Sequence, residues 1–124
     1  MLKAKPSPDY LRELMSKVES AVGESFNSVL INRYRNGRDY IGWHSDDDYG
    51  LAEPTIPGLT LGATRRFLLR YKQTKETVEY APVHGSLIAM RGRTNADWVH
   101  SIPKRLREKG ERLNLTFRQM GGSR

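Results

Sequence analysis

Seven residues near the C-terminus, Arg112-Leu113-Asn114-Leu115-Thr116-Phe117-Arg118, carry the clearest β-strand pattern in the chain. Polar and apolar side chains alternate without a break, which is the two-residue period of a β-strand. The polar side chains therefore share one face and the leucines and phenylalanine share the other. In a one-sided sheet the polar face meets water. In a barrel the same face lines a polar interior, where each guanidinium would match a carboxylate bidentately. The strand alone leaves both interpretations open.

Upstream of this strand, the chain predicts one helix followed by many short strands. Ser7-Pro8 predicts an N-cap and first helical position, and Gly23 a C-terminal stop. Between them, apolar residues recur at helical spacing: Leu11, Leu14, Met15, Val18 and Val22. Strands are predicted at 28–35, 40–43, 59–61, 66–71, 77–83, 86–90, 98–102 and 112–119, with turns at 36–37, 54–58, 73–75, 84–85 and 91–94. We expect no second helix, and a mainly β domain of sandwich or jelly-roll barrel type with a leading helix.

Composition narrows the class of protein further. The chain has 124 residues, a formal net charge of +7 and no cysteine, so one domain is expected, and disulfides, thiolate metal sites and cysteine nucleophiles are excluded. No apolar run approaches the roughly 20 residues of a membrane-spanning helix, and the first ten residues do not resemble a signal peptide. We expect a cytoplasmic protein, or a nuclear one in a eukaryote, with an anionic partner such as nucleic acid.

The segment Trp43-His44-Ser45-Asp46 is the first candidate for chemistry. On an extended backbone, His44 and Asp46 project from the same face and can supply two ligands to a metal ion. His100, far along the chain, would complete the two-histidine, one-carboxylate triad of non-haem Fe(II) oxygenases. Alone, the His-x-Asp pair is more typical of a surface hydrogen bond between the two side chains than of a metal site. His84 precedes a glycine and is predicted to be structural or solvent-exposed.

A second polar strand face carries Asn32 and Tyr34, within 28–35. An amide and a phenol there are able to complete the hydrogen bonds of a ligand held by the C-terminal arginines. The combination of these polar faces with the candidate metal ligands indicates a common site.

Taken together, six motifs resemble the AlkB family of Fe(II)- and 2-oxoglutarate-dependent dioxygenases, which repair alkylated nucleic acids. The resemblance extends from about Pro8 to Met120 and is greatest to the eukaryotic-type repair branch and its bacterial and phage relatives. The motifs are Asn32-Arg33-Tyr34, Trp43-His44-Ser45-Asp46-Asp47-Asp48, Leu61-Gly62-Ala63-Thr64-Arg65, His84-Gly85-Ser86-Leu87, the segment from Ala96 to Lys104, and Arg112-Leu113-Asn114-Leu115-Thr116-Phe117-Arg118.

The resemblance implies a double-stranded β-helix, or jelly roll, with a metal inside one mouth. His44, Asp46 and His100 would bind Fe(II). The implied 2-oxoglutarate site comprises Asn32, Tyr34, Arg112, Asn114, Thr116 and Arg118. Asp47 resembles a family position near the target base. Neighbouring aromatic and basic residues would stack a base or contact phosphate, and with Asp47 they make up the predicted substrate set: Trp43, Asp47, Tyr49, Arg65 and Arg91.

The implied reaction is oxidative demethylation of N-alkylated bases, of the 1-methyladenine or 3-methylcytosine type, in DNA or RNA. It consumes 2-oxoglutarate and O2 and releases succinate, CO2 and formaldehyde. The base must be single-stranded or flipped out of its stack. We expect residues 1–124 to form a dioxygenase core domain that lacks the family's usual upstream lid, acts as a monomer and does not contact membranes. The alternatives are another substrate (a tRNA modification, a protein side chain or a small molecule), a non-catalytic nucleic-acid-binding jelly roll and, remotely, a cupin-like protein.

Overall fold

The computed structural model describes residues 2–3, 8–46 and 54–119. In chain order the elements are β1 (Leu2–Lys3), α1 (Pro8–Val22), β2 (Ser28–Tyr34), β3 (Ile41–His44), β4 (Ile56–Gly62), β5 (Phe67–Tyr71), β6 (Thr77–Tyr80), β7 (Leu87–Met90), α2 (Thr94–Asp97), β8 (Trp98–Ile102) and β9 (Arg112–Arg118). No helix among these described residues is long and apolar enough to cross a membrane.

Two antiparallel sheets form the body of the molecule. The larger has the strand order β1-β2-β9-β4-β7, and the smaller has the order β3-β8-β5-β6. Apolar residues of both sheets pack into one cluster, which joins Tyr34 and Ile56 of the larger sheet to Phe67 and Ile102 of the smaller. The sheets are therefore packed face to face, and the prediction of a mainly β jelly roll with a leading helix is confirmed.

Helix α1 covers the outer face of the larger sheet. Its Val18 and Val22 join Ile31, Leu115 and Phe117 of the sheet, together with Phe26, in a second apolar cluster. The helix ends where the sequence predicts, because Gly23 adopts a φ of 82° and its N–H donates to the Glu19 carbonyl at 2.7 Å. The predicted cap at Ser7 lies outside the described residues.

Strand β9 lies at the centre of the larger sheet and contributes side chains to both faces of that sheet. All seven of its residues pair with β2, in a register that sets Arg112 opposite Tyr34. Leu115 and Phe117 face the helix, whereas Arg112, Thr116 and Arg118 are buried between the sheets. Of the two interpretations of this strand, the polar barrel interior is therefore correct.

The structure corrects the sequence-based prediction at four places, of which the first is the strand predicted at 77–83, which ends at Tyr80. Residues 54–58 were predicted as a turn, yet Ile56–Gly62 is a strand. The strand accommodates Pro57 because its pairing with β9 starts only at Gly58. Proline has no N–H to donate, and at Pro57 the strand is paired with β7 alone. The expectation of no second helix is wrong, because a one-turn helix, Thr94–Asp97, begins at the last residue of the turn predicted at 91–94. The short edge strand Leu2–Lys3 carries no sequence pattern that predicts it.

Candidate active site

Three potential metal ligands meet where β3 lies against β8. His44 ends β3, Asp46 follows two residues later, and His100 lies opposite His44 in the β3–β8 register. One ligand atom from each of the three side chains lies within 4.8 Å of the others. The Asp46 carboxylate faces the Nε2 atoms of both imidazoles, with Oδ1 3.8 Å from Nε2 of His44 and Oδ2 3.5 Å from Nε2 of His100. Two imidazoles and one carboxylate in this arrangement match the donor set of a non-haem Fe(II) centre.

The ring orientations of both histidines suit metal binding. Nδ1 of His44 lies 2.8 Å from the Gly42 carbonyl, so its N–H donates there and Nε2 stays available. Burial lowers the pKa of His100 to about 4. The Asp46 carboxylate raises this pKa, whereas His44 and Arg118 lower it by smaller amounts. His100 is therefore neutral at pH 7, which is the form that binds a metal.

A cavity between the sheets contains this cluster. The space between its lining side chains amounts to about 530 Å³, including the part open to solvent. One wall is polar and comes from β2 and β9, with Asn32, Tyr34, Arg112, Asn114, Thr116 and Arg118. The remaining wall is mostly apolar and includes Ile41, Phe67, Pro82, Ile88, Met90 and Ile102. The structure thus brings all nine predicted metal and co-substrate residues to a single cavity.

Arg112 is a buried cation at the polar wall. Its side chain is 2% exposed, and within the described part of the chain its Nε and Nη1 have no hydrogen-bond partner. Burial lowers its pKa to about 10, which leaves it charged at neutral pH. A buried guanidinium with unused donors requires an anionic partner, because an unsatisfied buried charge is strongly unfavourable. Arg112 is therefore suited to bind a carboxylate that enters the cavity.

Tyr34 lies between two guanidinium groups. The guanidinium carbon of Arg112 lies 5.9 Å from the ring centroid, and that of Arg65 lies 5.5 Å from it. Burial raises the pKa of Tyr34 to about 12, although both arginines lower it. The phenol therefore keeps its proton and can donate a hydrogen bond to a bound anion.

Arg118 connects the polar wall to the candidate metal ligands. Its Nη2 donates to Thr116 Oγ1 at 3.0 Å and lies 3.3 Å from Oδ1 of Asp46. This contact helps to fix the Asp46 carboxylate between the two histidines.

The predicted substrate residues are more scattered. Trp43 is 38% exposed on the smaller sheet, with the Arg70 guanidinium 4.0 Å from its ring centroid. Asp47 and Tyr49 lie outside the described residues. His84, predicted to be structural or exposed, is exposed and its Nδ1 accepts the Gly62 N–H at 2.8 Å.

Of the two arginines predicted as substrate contacts, Arg65 needs correction. Arg65 is 1% exposed, and its guanidinium donates to three backbone carbonyls, so a nucleic acid does not reach it. Arg91 is exposed, and its Nη2 donates at 3.0 Å to the Val22 carbonyl at the end of α1. It does not line the cavity, and its contact with a substrate stays a prediction. A basic run in a sequence does not reveal which of its members point inward.

Phe67 is a site residue that the sequence analysis missed. It lines the cavity and stacks against His100, with ring centroids 5.5 Å apart. The alternation of Phe67 and Leu69 places them on one face of a strand, but only the pairing of β5 with β8 shows that His100 lies alongside.

This fold and cavity define a jelly-roll oxygenase, and comparison with known proteins agrees. Residues 2–118 match the family model of the 2OG-Fe(II) oxygenase superfamily, and the chain belongs to that superfamily, which is named for Fe(II) and 2-oxoglutarate. Within it the chain is AlkB-like. Over 126 residues it is 42% identical to human alpha-ketoglutarate-dependent dioxygenase alkB homolog 3, covering 91% of this chain and 44% of the relative.

Two further comparisons agree. Over 134 residues the chain is 37% identical to the DNA oxidative demethylase ALKBH2 of Arabidopsis thaliana, covering 87% of this chain and 42% of the relative. The solved structure of OsALKBH1 superposes with a TM-score of 0.67 at 18% identity, covering 91% of this chain and 66% of that one; at this identity it supports the fold alone. The chain thus spans less than half the length of the two curated relatives. The predicted family, with its oxidoreductase class and its Fe(II), 2-oxoglutarate and O2, is confirmed.

Proposed function

We propose that this protein oxidatively demethylates N-alkylated bases, of the 1-methyladenine or 3-methylcytosine type, in DNA or RNA. The observation that carries the proposal is the convergence, in one cavity, of a His-Asp-His cluster and the buried Arg112 guanidinium, whose Nε and Nη1 have no hydrogen-bond partner among the described residues. The relatives known as an alpha-ketoglutarate-dependent dioxygenase and a DNA oxidative demethylase supply the reaction class. In this proposal residues 1–124 act as a monomeric core domain in the cytoplasm, or in the nucleus of a eukaryote.

His44, Asp46 and His100 would hold Fe(II). The spacing of their ligand atoms and their donor types fit that ion. When bound, Fe(II) together with 2-oxoglutarate and O2 supplies the oxidation of the N-methyl group, which leaves as formaldehyde while 2-oxoglutarate becomes succinate and CO2. Arg118 would keep the Asp46 carboxylate oriented through its 3.3 Å contact.

The polar wall would hold 2-oxoglutarate. Arg112 would pair with the carboxylate distant from the metal, because its Nε and Nη1 have unused donor capacity. Asn32, Tyr34 and Asn114 would complete that end, and Thr116 and Arg118 would lie at the end near the metal. The apolar wall opposite would limit water around the reacting methyl group.

The substrate side of the proposal uses exposed aromatic and cationic groups. The Trp43 ring, with the Arg70 guanidinium against it, would stack on a base that has left its duplex. Asp47 and Tyr49 are proposed to act at the same mouth on the basis of the family resemblance. The net charge of +7 would favour approach to the phosphate backbone.

The decisive experiment is mass spectrometry of single-stranded DNA and RNA oligonucleotides that carry 1-methyladenine or 3-methylcytosine. Each is incubated in air with the protein, Fe(II), ascorbate and 2-oxoglutarate. We expect loss of one CH2 in mass that depends on 2-oxoglutarate and is absent with Asp46→Asn. Asp97→Asn is the matched control, since Asp97 lies outside the cavity and pairs with Arg93.

An unchanged oligonucleotide mass, with folded protein that binds metal and 2-oxoglutarate, would contradict the demethylase proposal. The same enzyme chemistry on another substrate would then be the remaining explanation. Turnover of methylated bases by Asp46→Asn at the wild-type rate would contradict the proposed metal site instead.

A further inference from the structure

Arg65 forms a buried three-way connection between backbone segments. Its Nη1 donates to the Asn36 carbonyl at 3.2 Å, and its Nη2 donates to the Asp39 and Pro103 carbonyls at 2.9 and 2.8 Å. The side chain is 1% exposed. All three acceptors are neutral backbone carbonyls, and the carboxylate of Asp39 is bound by Arg35 instead. Directed hydrogen bonds to backbone carbonyls therefore stabilise the buried guanidinium charge of Arg65.

The carbonyls that Arg65 joins lie at the ends of the two strands that carry the candidate metal ligands. Asn36 and Asp39 belong to the turn that leads into β3, and Pro103 directly follows β8. Arg65 thus holds one end of the β3–β8 pair. The other end is held by the Ser45 hydroxyl, which donates to the Trp98 carbonyl at 2.8 Å.

Between these two connections the strand pairing is weak. Strand β3 has only four residues, and its register against β8 shifts between Ile41 and His44. A short strand with a bulge has few ladder bonds to fix its register. A slip of one residue would turn His44 to the opposite face of the sheet, away from His100.

We propose that Arg65 is a positioning residue that fixes the register of β3 against β8 and so keeps His44 opposite His100 in the metal site. The inference rests on the proposed function only in assuming that these histidines bind the metal. Arginine suits the task because its planar fork offers five donors in fixed directions, whereas lysine offers a single flexible ammonium group.

The test compares Arg65→Lys and Arg65→Gln with the wild-type chain in anaerobic titration with Co(II), a spectroscopic substitute for Fe(II). We expect Co(II) binding to be about tenfold weaker or more in both variants, with an altered visible absorption spectrum that reports changed ligand geometry. Arg66→Gln is the matched control, because the neighbouring Arg66 makes only an exposed ion pair with Glu79. It should bind Co(II) as the wild type does.

Wild-type Co(II) affinity and spectrum in a folded Arg65→Lys protein would overturn the inference. If neither Arg65 variant folds, Arg65 maintains the whole fold rather than this register, and the inference is equally wrong. Failure of the proposed function would be distinguishable from failure of this inference. In that case the wild-type protein would bind Co(II), but its Fe(II) form would not demethylate the oligonucleotides. A wild-type chain that does not bind Co(II) would overturn the metal site and the role of Arg65 together.

Discussion

The phenyl ring of Phe67 lies nearly parallel to the imidazole of His100, with 18° between the two planes and 5.5 Å between centroids. The imidazole of His100 also contacts the ring of His44, at a centroid distance of 4.2 Å. Phe67 belongs to the core shared by both sheets. The packing of that core therefore restricts the ring that supplies the third candidate metal ligand.

Replacement of Phe67 should weaken both the fold and the metal site. Phe67→Ala is expected to lower the free energy of unfolding by roughly 3–5 kcal/mol, because it removes a buried ring and leaves a cavity. Phe67→Leu keeps most of the volume and should lose less than about 1.5 kcal/mol, yet should still bind Co(II) more weakly. Urea denaturation and Co(II) titration measure the two effects. Wild-type metal affinity in Phe67→Leu would show that the stacked ring does not orient His100.

Changing Arg112 should separate co-substrate binding from stability. Arg112→Lys is expected to weaken 2-oxoglutarate binding to the Mn(II)-loaded protein by about ten- to hundredfold, because charge-assisted hydrogen bonds of the fork are lost. Arg112→Met should abolish binding while the ligand-free protein stays as stable as the wild type or becomes more stable. Calorimetric titration and thermal unfolding measure these quantities. Arg33→Lys, at an exposed ion pair with Glu111, is the control that should bind normally.

Metal should stabilise the protein only when Asp46 is present. Mn(II) at a hundred times its dissociation constant is expected to add about 2.7 kcal/mol to the free energy of unfolding, and a chelator should remove this gain. Asp46→Asn should show no metal-dependent rise in melting temperature, whereas Asp97→Asn should respond as the wild type. An equal rise in Asp46→Asn would mean that the ion binds elsewhere.

The metal-free protein should become less stable as pH falls from about 6.5 to about 4. In the folded chain burial lowers the pKa of His100 to about 4, whereas an unfolded histidine titrates near 6.5. Between these values the unfolded state binds a proton that the folded state does not, so stability declines by at most about 1.4 kcal/mol per pH unit from this group. Urea denaturation at pH 7, 5.5 and 4.5 should show a smaller decline for His100→Gln. Parallel declines in both proteins would contradict the shifted pKa.

Gly37 should not accept a side chain. A Cβ built at this position would lie 1.6 Å from the Arg105 carbonyl oxygen, and Gly37 exchanges backbone hydrogen bonds with Glu108 and Arg105. We expect Gly37→Ala to cost roughly 1–3 kcal/mol or more of unfolding free energy. Gly42→Ala is the matched control, because a Cβ there meets nothing within 4 Å. Equal stability of the two variants would show that the 36–39 turn adapts freely.

Alternation predicted much of the fold and the polar wall of the site. The period of two in Arg112–Arg118 separates helix-facing from cavity-facing residues correctly, because sheet geometry imposes it locally. His44 and Asp46 are likewise placed together by their spacing. His100 was predicted as the second histidine of a two-histidine, one-carboxylate triad, and no local pattern places it beside His44.

The sequence did not predict which strands, distant along the chain, pair with one another. Neither the stacking of Phe67 on His100 nor the burial of Arg65 follows from a local pattern, since each depends on which strand lies alongside. Pro57 in Ile56–Gly62 shows the same limit. Proline normally signals a turn, and only the point at which β9 pairing begins makes it acceptable in a strand.

The division of the cavity into a polar wall on β2 and β9 and an apolar wall opposite has a consequence for inhibitor design. A molecule that fills this space must be amphiphilic along its length, with a carboxylate edge for Arg112 and a hydrophobic edge for Phe67 and Ile102 of the smaller sheet. Simple dicarboxylates satisfy only the first edge. Selectivity for this protein should therefore come from groups added to the hydrophobic edge of the inhibitor.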